Sequence, residues 1–412
     1  MTSSILFFCI ILIILIEFIF GKVIDHLNNK SWSEKLPVEL HDFYDEQKYQ
    51  EARNYHQAGE KLGFWSGAIS ICLSLGLIIF DGFYWIYEQA FSYIDHNIGT
   101  PLLFFAILGL GSFIIGIPFS YYHNFVIEEK FGFNKMNIRT FILDNIKGLA
   151  LSSIIGGGLL YLFILFYIQF PVNFWLYAWA AFTAFSLFMA AFYVDLIVPL
   201  FNKLSPLEDE VLMEKIKILA EKTNFPLNSI MVIDGSKRSS KANAYFSGIG
   251  GKKSIVLFDT LLDDHSHEEL LAILAHEIGH YKKKHILYSF SVSSLNMFIS
   301  LFILSWFINS PELSQALGAP DVNFAIGLIA FGLIYSPVST LTSIFMNYMS
   351  RKFEYQADHF ANIHTQANDL ISALKKLSVK NLSNLTPHPS FVFIHYSHPT
   401  LLQRIKALKE II

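Results

Sequence analysis

The sequence predicts an all-α polytopic membrane protein of seven spans, with a small α+β unit built from its cytosolic segments. Three observations carry this reading. Hydrophobic residues make up 53% of the 412 positions and charged residues only 16%, with 40 Phe, which is too apolar for a soluble chain of this length. Seven runs supply the roughly 20 helical residues that a hydrocarbon core of about 30 Å requires. All 30 Lys and Arg fall into four alternate segments outside those runs, and their placement decides which side each loop occupies.

The first run, 4–21, has no Lys or Arg before it and no small-residue cleavage pattern, so it reads as a retained helix. The others are 63–87, 101–122, 149–170, 173–199, 287–308 and 323–348. Segment 22–62 carries six basic residues, 123–148 four, 200–286 twelve and 349–412 eight, while the turns 88–100, 171–172 and 309–322 carry none. The N-terminus is therefore expected outside and the four charged segments in the cytosol. The formal charge of −4 excludes a broad basic surface, and with it nucleic acid as a partner. Cys9 and Cys72 lie in apolar runs and describe neither a disulfide framework nor a thiolate metal site.

Within the cytosolic segments, 207–224 has helical periodicity, whereas 229–234 and 253–259 read as short strands with the Gly-rich SGIGG as a turn between them. The stretch SHEELLAILAHEIGHY starts a helix in which Ser266 and Glu269 fit a capping box. That helix contains His276-Glu277-Ile278-Gly279-His280, an HExxH pattern. Two imidazoles four apart lie on one helical face and can share a metal ion. A catalytic zinc takes three protein ligands and leaves the fourth position to water. Glu277, beside the first ligand, is placed to take a proton from that water.

Downstream, Glu354 and Asp358 in FEYQAD are again four apart. Glu354 is expected as the third ligand, with Asp358 accepting the outer N–H of a ligating histidine. As an isolated pair they would read as surface acids; beside HExxH they read as part of a metal centre.

These residues resemble the type I CAAX prenyl endopeptidases, the a-factor-converting type of integral-membrane zinc metalloprotease. The match runs from Val126 to Asn134 (VIEEKFGFN), through Pro199 to Lys203 (PLFNK) and Asn243 to Gly248 (NAYFSG), to HEIGH, FEYQAD and His398 to Arg404 (HPTLLQR). The resemblance implies seven helices around a large chamber, one Zn²⁺ on His276, His280 and Glu354, and Glu277 as general base and acid. It further implies that Asn243, Ala244, Tyr245, Phe246, Ser247 and Gly248 form an edge strand that pairs with substrate backbone. His398 and Arg404 are implied as transition-state and substrate contacts.

The expected organisation is thus five helices in 1–199 with cytosolic loops 22–62 and 123–148, a catalytic segment 200–286, helices six and seven in 287–348, and a second catalytic segment 349–412. The expected partners are membrane lipid and a peptide or protein C-terminus; where that C-terminus is prenylated, cleavage releases the last three residues after the lipidated cysteine. A membrane quality-control protease and a seven-span transporter are the rival readings, the latter without any inverted-repeat signal. The chain ends a few residues after Arg404, which favours a bacterial inner membrane over the alternative of the endoplasmic reticulum or inner nuclear membrane. His265, His267 and His285 do not repeat the four-residue spacing from His276 and are expected to be solvated. Glu17, Asp81 and Asp195 lie in or at the ends of apolar runs, where a charge faces a cavity, a partner or a helix break.

Overall fold

The computed structural model describes residues 2–32, 36–247 and 253–410. Among them, seven helices are long and apolar enough to cross a membrane. The membrane part begins with α1 (Ser3–Lys30), α2 (Glu46–Ile79) and α3 (Gly82–Tyr93). It continues with α4 (Gly99–Tyr122), which passes directly into a π-helical turn at His123–Glu128, then α5 (Ile138–Gln169), α6 (Phe174–Leu196) and the short α7 (Val198–Phe201). The soluble part opens with β1 (Leu204–Pro206), α8 (Glu210–Lys222), β2 (Leu227–Ile233), β3 (Ala244–Ser247), β4 (Lys253–Phe258), α9 (Asp259–Leu262) and α10 (His267–Lys282). The chain then returns through α11 (His285–Phe307), α12 (Pro311–Gln315) and α13 (Phe324–His364), and ends in α14 (Ala367–Lys380), α15 (Pro389–His395) and α16 (Leu401–Lys409).

Several helices outrun their apolar cores. Helix α13 has 41 residues, about 60 Å at 1.5 Å per residue, or roughly twice the hydrocarbon thickness. Its apolar half spans 324–348, and the same rod carries FEYQAD beyond the membrane. Hydropathy marks where the apolar residues stop; it does not mark the end of this helix, because beyond 348 no Gly or Pro breaks the rod before its end at His364.

Two expected spans are interrupted. The run 63–87 breaks after Ile79, because Asp81 takes a left-handed conformation at φ 52° and α3 starts afresh. Gly318, at φ +91°, packs so closely on Asp81 that a Cβ there would lie 2.5 Å from Asp81 Oδ1. The run 173–199 likewise breaks at Ile197, between α6 and α7. Glu17 accepts a hydrogen bond from Ser336 at 2.9 Å, joining α1 to α13, whereas Asp195 is exposed.

The four strands form one sheet in the order β1-β2-β4-β3, with β2 and β4 parallel and the other neighbours antiparallel. The two strands expected from the sequence are therefore not a hairpin. The chain between them contributes β3, which pairs with the far side of β4 in the register Ala244 to Leu257 and Ser247 to Ser254. The main core of the soluble part lies between this sheet, α8, α10 and α14, where Leu270, Leu274 and Ile278 of α10 are at most 1% exposed. Burying each such side chain contributes about 1.5–3 kcal/mol. A second core, around Ile10, Ile78, Phe104, Leu317 and Ile326, closes the bundle at its other end.

Candidate active site

Helix α10 starts at the expected capping box. The Ser266 hydroxyl accepts from the Glu269 N–H at 3.2 Å, and the Glu269 carboxylate accepts from the Ser266 N–H at 2.8 Å. Glu269 also accepts from Ser372 and Lys376 at 2.6 and 2.7 Å, which ties α10 to α14.

The site forms where α10 crosses α13. Gly279 permits the approach, since a Cβ there would stand 3.0 Å from both Ala357 Cα and Phe360 Cβ. Gly279→Ala is therefore expected to destabilise the protein by about 1–3 kcal/mol, as overpacking does, and to reduce turnover by pushing Glu354 away from the imidazoles. Thermal inactivation and turnover measured side by side check this; wild-type values in both would show that the helices do not need the contact.

At the crossing, His276 Nε2 and His280 Nε2 are 3.2 Å apart. Glu354 Oε2 is 3.4 Å from His276 Nε2, and Glu354 Oε1 is 3.3 Å from His280 Nε2. A tetrahedral ion with bonds of about 2.0–2.1 Å sets its ligands about 3.3–3.4 Å apart, so the three groups fit one cation. Glu354 is 2% exposed, and the nitrogens around its Oε2, from His398 at 2.9 Å to Arg404 at 3.5 Å, are not aligned to donate a hydrogen bond to it. Such an oxygen is costly to bury unless a cation takes its lone pair.

The outer nitrogen of His276 is 2.8 Å from Asp358 Oδ1, so Nδ1–H donates to that carboxylate and leaves Nε2 free as a ligand atom. Burial opposes the protonated His276 ring, and the Arg404 guanidinium opposes it further. The carboxylates of Asp358 and Glu354 outweigh both and raise its pKa to about 9.

Arg404 lies behind the candidate ligands. It is 9% exposed, and its fork is taken up by Asp358, with Nε to Oδ2 at 2.9 Å and Nη2 to Oδ1 at 2.5 Å. The geometry makes it the holder of Asp358. His398, by contrast, is exposed and brings Nδ1 to 2.9 Å from Glu354 Oε2.

Glu277 is half-buried and faces a cavity of about 660 Å³ together with His280, Glu354, His398 and Tyr245. A larger, mainly apolar cavity of about 1130 Å³ shares His280 and Tyr245 and extends between α6 and α11 past Leu187, Tyr193 and Phe290. Tyr245 belongs to β3, which has β4 on one side and, among the described residues, no strand on the other. Asn243 leads into this strand, its side-chain oxygen accepting from the Ala244 N–H at 2.9 Å. Phe246 and Ser247 continue the strand opposite Ile255 and Ser254. Gly248 lies outside the described residues.

A family model described as CAAX prenyl protease N-terminal, five membrane helices, matches residues 23–203, and one for peptidase family M48 matches 206–412. The chain belongs to peptidase family M48. This M48 peptidase is 35% identical to CAAX prenyl protease 1 of Saccharomyces cerevisiae, over 95% of the chain and 92% of the relative. It is 34% identical to the human CAAX prenyl protease 1 homolog, over 91% and 88%. The crystal structure of S. mikatae Ste24p superposes with a TM-score of 0.93 at 34% identity, covering 98% of this chain and 99% of that one. The M48 peptidase is thus a multi-span membrane metalloendopeptidase built on the chambered fold. Both curated relatives are eukaryotic, so the bacterial inner membrane expected from the short tail is not supported.

The histidines expected to be solvated behave differently. His265 is 7% exposed and its Nδ1 contacts the Leu261 carbonyl at 3.0 Å. His267 sits at the surface with Nε2 2.9 Å from Asp209. His285 is 3% exposed and lies against His280. Sequence spacing misses it because α10 ends at Lys282 and the chain turns through Lys284 at φ 60°, so helical periodicity does not carry across. Non-periodic histidines just past HExxH were the available signal.

Proposed function

We propose that this peptidase holds one Zn²⁺ on His276, His280 and Glu354 and removes the C-terminal tripeptide from prenylated substrates of the Cys-a-a-X type. The observation that carries this reading is that Glu277, the candidate ligands His280 and Glu354, and Tyr245 of the edge strand β3 border one cavity, with His276 grouped beside the other two ligands. When bound, zinc polarises the scissile carbonyl and makes water a stronger acid.

The chain's own residues do the rest. Glu277 takes the proton of the attacking water and returns it to the leaving amine. His398, at the cavity wall, donates to the charge that builds on the carbonyl oxygen. The edge of β3 that no described strand covers accepts the substrate backbone as an added strand, with Asn243 to Gly248 as the proposed contact segment. The apolar cavity between α6 and α11 receives the isoprenoid beside the scissile bond. The distribution of basic residues supports a cytosolic catalytic part, and the eukaryotic relatives support the endoplasmic reticulum as its membrane.

Two peptides of identical sequence, one prenylated and one not, test the substrate. Release of the terminal tripeptide from the prenylated peptide, abolished by chelation and restored by zinc, is the expected result. Equal cleavage of both at several sites would overturn it in favour of a quality-control protease.

The His276 shift gives a pH prediction. Below about 9 the metal-free ring is protonated, so zinc must displace a proton on binding, and apparent affinity should rise about tenfold per pH unit and level off above that value. Chelator competition between pH 6 and 10 measures it, and a flat profile would remove the proton from the binding step.

A further inference from the structure

The two candidate ligand histidines are supported in different ways. His276 has the carboxylate of Asp358 behind it. Behind His280 stands His285, whose Nδ1 is 3.0 Å from His280 Nδ1 and whose Nε2 is 2.8 Å from Gln356 Oε1. The three elements α10, α11 and α13 meet at this point. His285 is the first residue of α11, reached through the left-handed Lys284, and its ring stacks on Phe353 at 4.2 Å with an interplanar angle of 10°. Phe353 and Gln356 stand on the same helix as Glu354 and flank it.

Hydrogen-bond chemistry allows one direction through this chain when a metal is bound. An imidazole that binds a cation through Nε2 must carry its proton on Nδ1. His280 Nδ1–H therefore donates to His285 Nδ1, which must be the bare nitrogen of a neutral ring. His285 then carries its proton on Nε2 and donates to an acceptor, and Gln356 presents its carbonyl oxygen there. Were the amide reversed, Gln356 would donate to His285 Nε2, His285 would donate to His280, and His280 would hold its proton on the nitrogen that faces the metal.

We infer that His285 and Gln356 are positioning residues that hold His280 in its metal-binding tautomer, with Gln356 setting the direction of the chain. This rests on His280 being a zinc ligand. Partners of this kind affect metal affinity by about 10–100-fold, and a neutral imidazole backed by an amide does so without adding charge to the centre.

The test uses the purified full-length protein and zinc competition against a chelator, with thermal stability of the metal-free form as a parallel readout. His285→Ala is expected to weaken zinc about 10–100-fold. Gln356→Leu, which removes the acceptor, is expected to weaken it measurably, while Gln356→Glu, which can only accept, holds or tightens it; the metal-free stability of the two Gln356 variants should match wild type. Zinc affinity unchanged in His285→Ala would overturn the inference. If His285→Ala does not fold, the Gln356 pair decides, and equal affinity for the Leu, Glu and wild-type proteins overturns it. His280→Ala separates the two levels: retention of zinc in that variant would remove His280 from the ligand set, whereas its loss alongside an unaffected His285→Ala would refute only the relay.

Discussion

Glu277→Gln is expected to keep its zinc and its fold while losing peptidase activity by about 10²–10⁴-fold, the usual contribution of a positioned general base. The amide preserves the shape of the side chain at the wall of the 660 Å³ cavity but cannot take a proton. Among the described residues Glu277 is not one of those grouped to ligate a metal; those are His276, His280 and Glu354, within 4.8 Å of one another. Metal content and turnover should therefore separate cleanly in this variant. Near wild-type turnover would sink the assignment, and loss of zinc together with activity would mean that Glu277 supports the metal centre rather than the chemistry.

The second large effect distinguishes Glu354 from Asp358. Glu354→Gln exchanges an anionic oxygen pair for a poor neutral donor at a place where two imidazoles lie within 3.4 Å. Zinc occupancy should fall, activity with it, and excess zinc should restore little. Asp358→Asn retains an acceptor for His276 Nδ1–H, and a loss of about 10–100-fold in zinc affinity with partial rescue by added metal is expected on that ground alone. The structure adds a further cost. Asp358 also takes the fork of the buried Arg404, and removing its charge leaves that guanidinium only the more distant Glu354 carboxylate, 3.5 Å from Nη1, a loss of up to about 3–5 kcal/mol for a broken buried pair. Asp358→Asn should thus be less stable than Glu354→Gln even though it binds zinc better. A zinc titration read by cleavage, with thermal inactivation alongside, resolves the two; rescue of Glu354→Gln but not of Asp358→Asn would exchange their roles.

Much of the architecture was legible in the residues because its signals are local. The apolar runs that span a membrane, the alternation of basic loops and the Ser266 capping box all follow from composition and spacing within a few turns of chain. HExxH and FEYQAD were legible for the same reason, each placing two polar groups four apart on a helix. Helix breaks at Asp81 and near Asp195 were among the readings that a charge in an apolar run leaves open, but the residues did not choose between them, and at Asp81 the turn packs against Gly318 from a distant loop. The strand pairing was half legible: β2 and β4 were visible as apolar runs, but their parallel register depends on where the intervening chain lays down β3.

What the sequence by itself determined, then, was the membrane character, the inventory of seven apolar helices and the two motifs able to bind a metal, because each is a property of neighbouring residues. Only the tertiary structure decided which groups meet. That FEYQAD rides on the membrane helix α13, that Gly279 lets α10 approach it to within the ligand spacing of one ion, and that Arg404 faces Asp358 rather than solvent are all consequences of how separate helices cross. His285 is the clearest case. Its distance along the chain from His280 excludes a shared helical face, yet a single left-handed residue at Lys284 swings it back against that histidine. Periodicity holds only while the backbone dihedrals repeat, and one residue outside the helical region ends its authority.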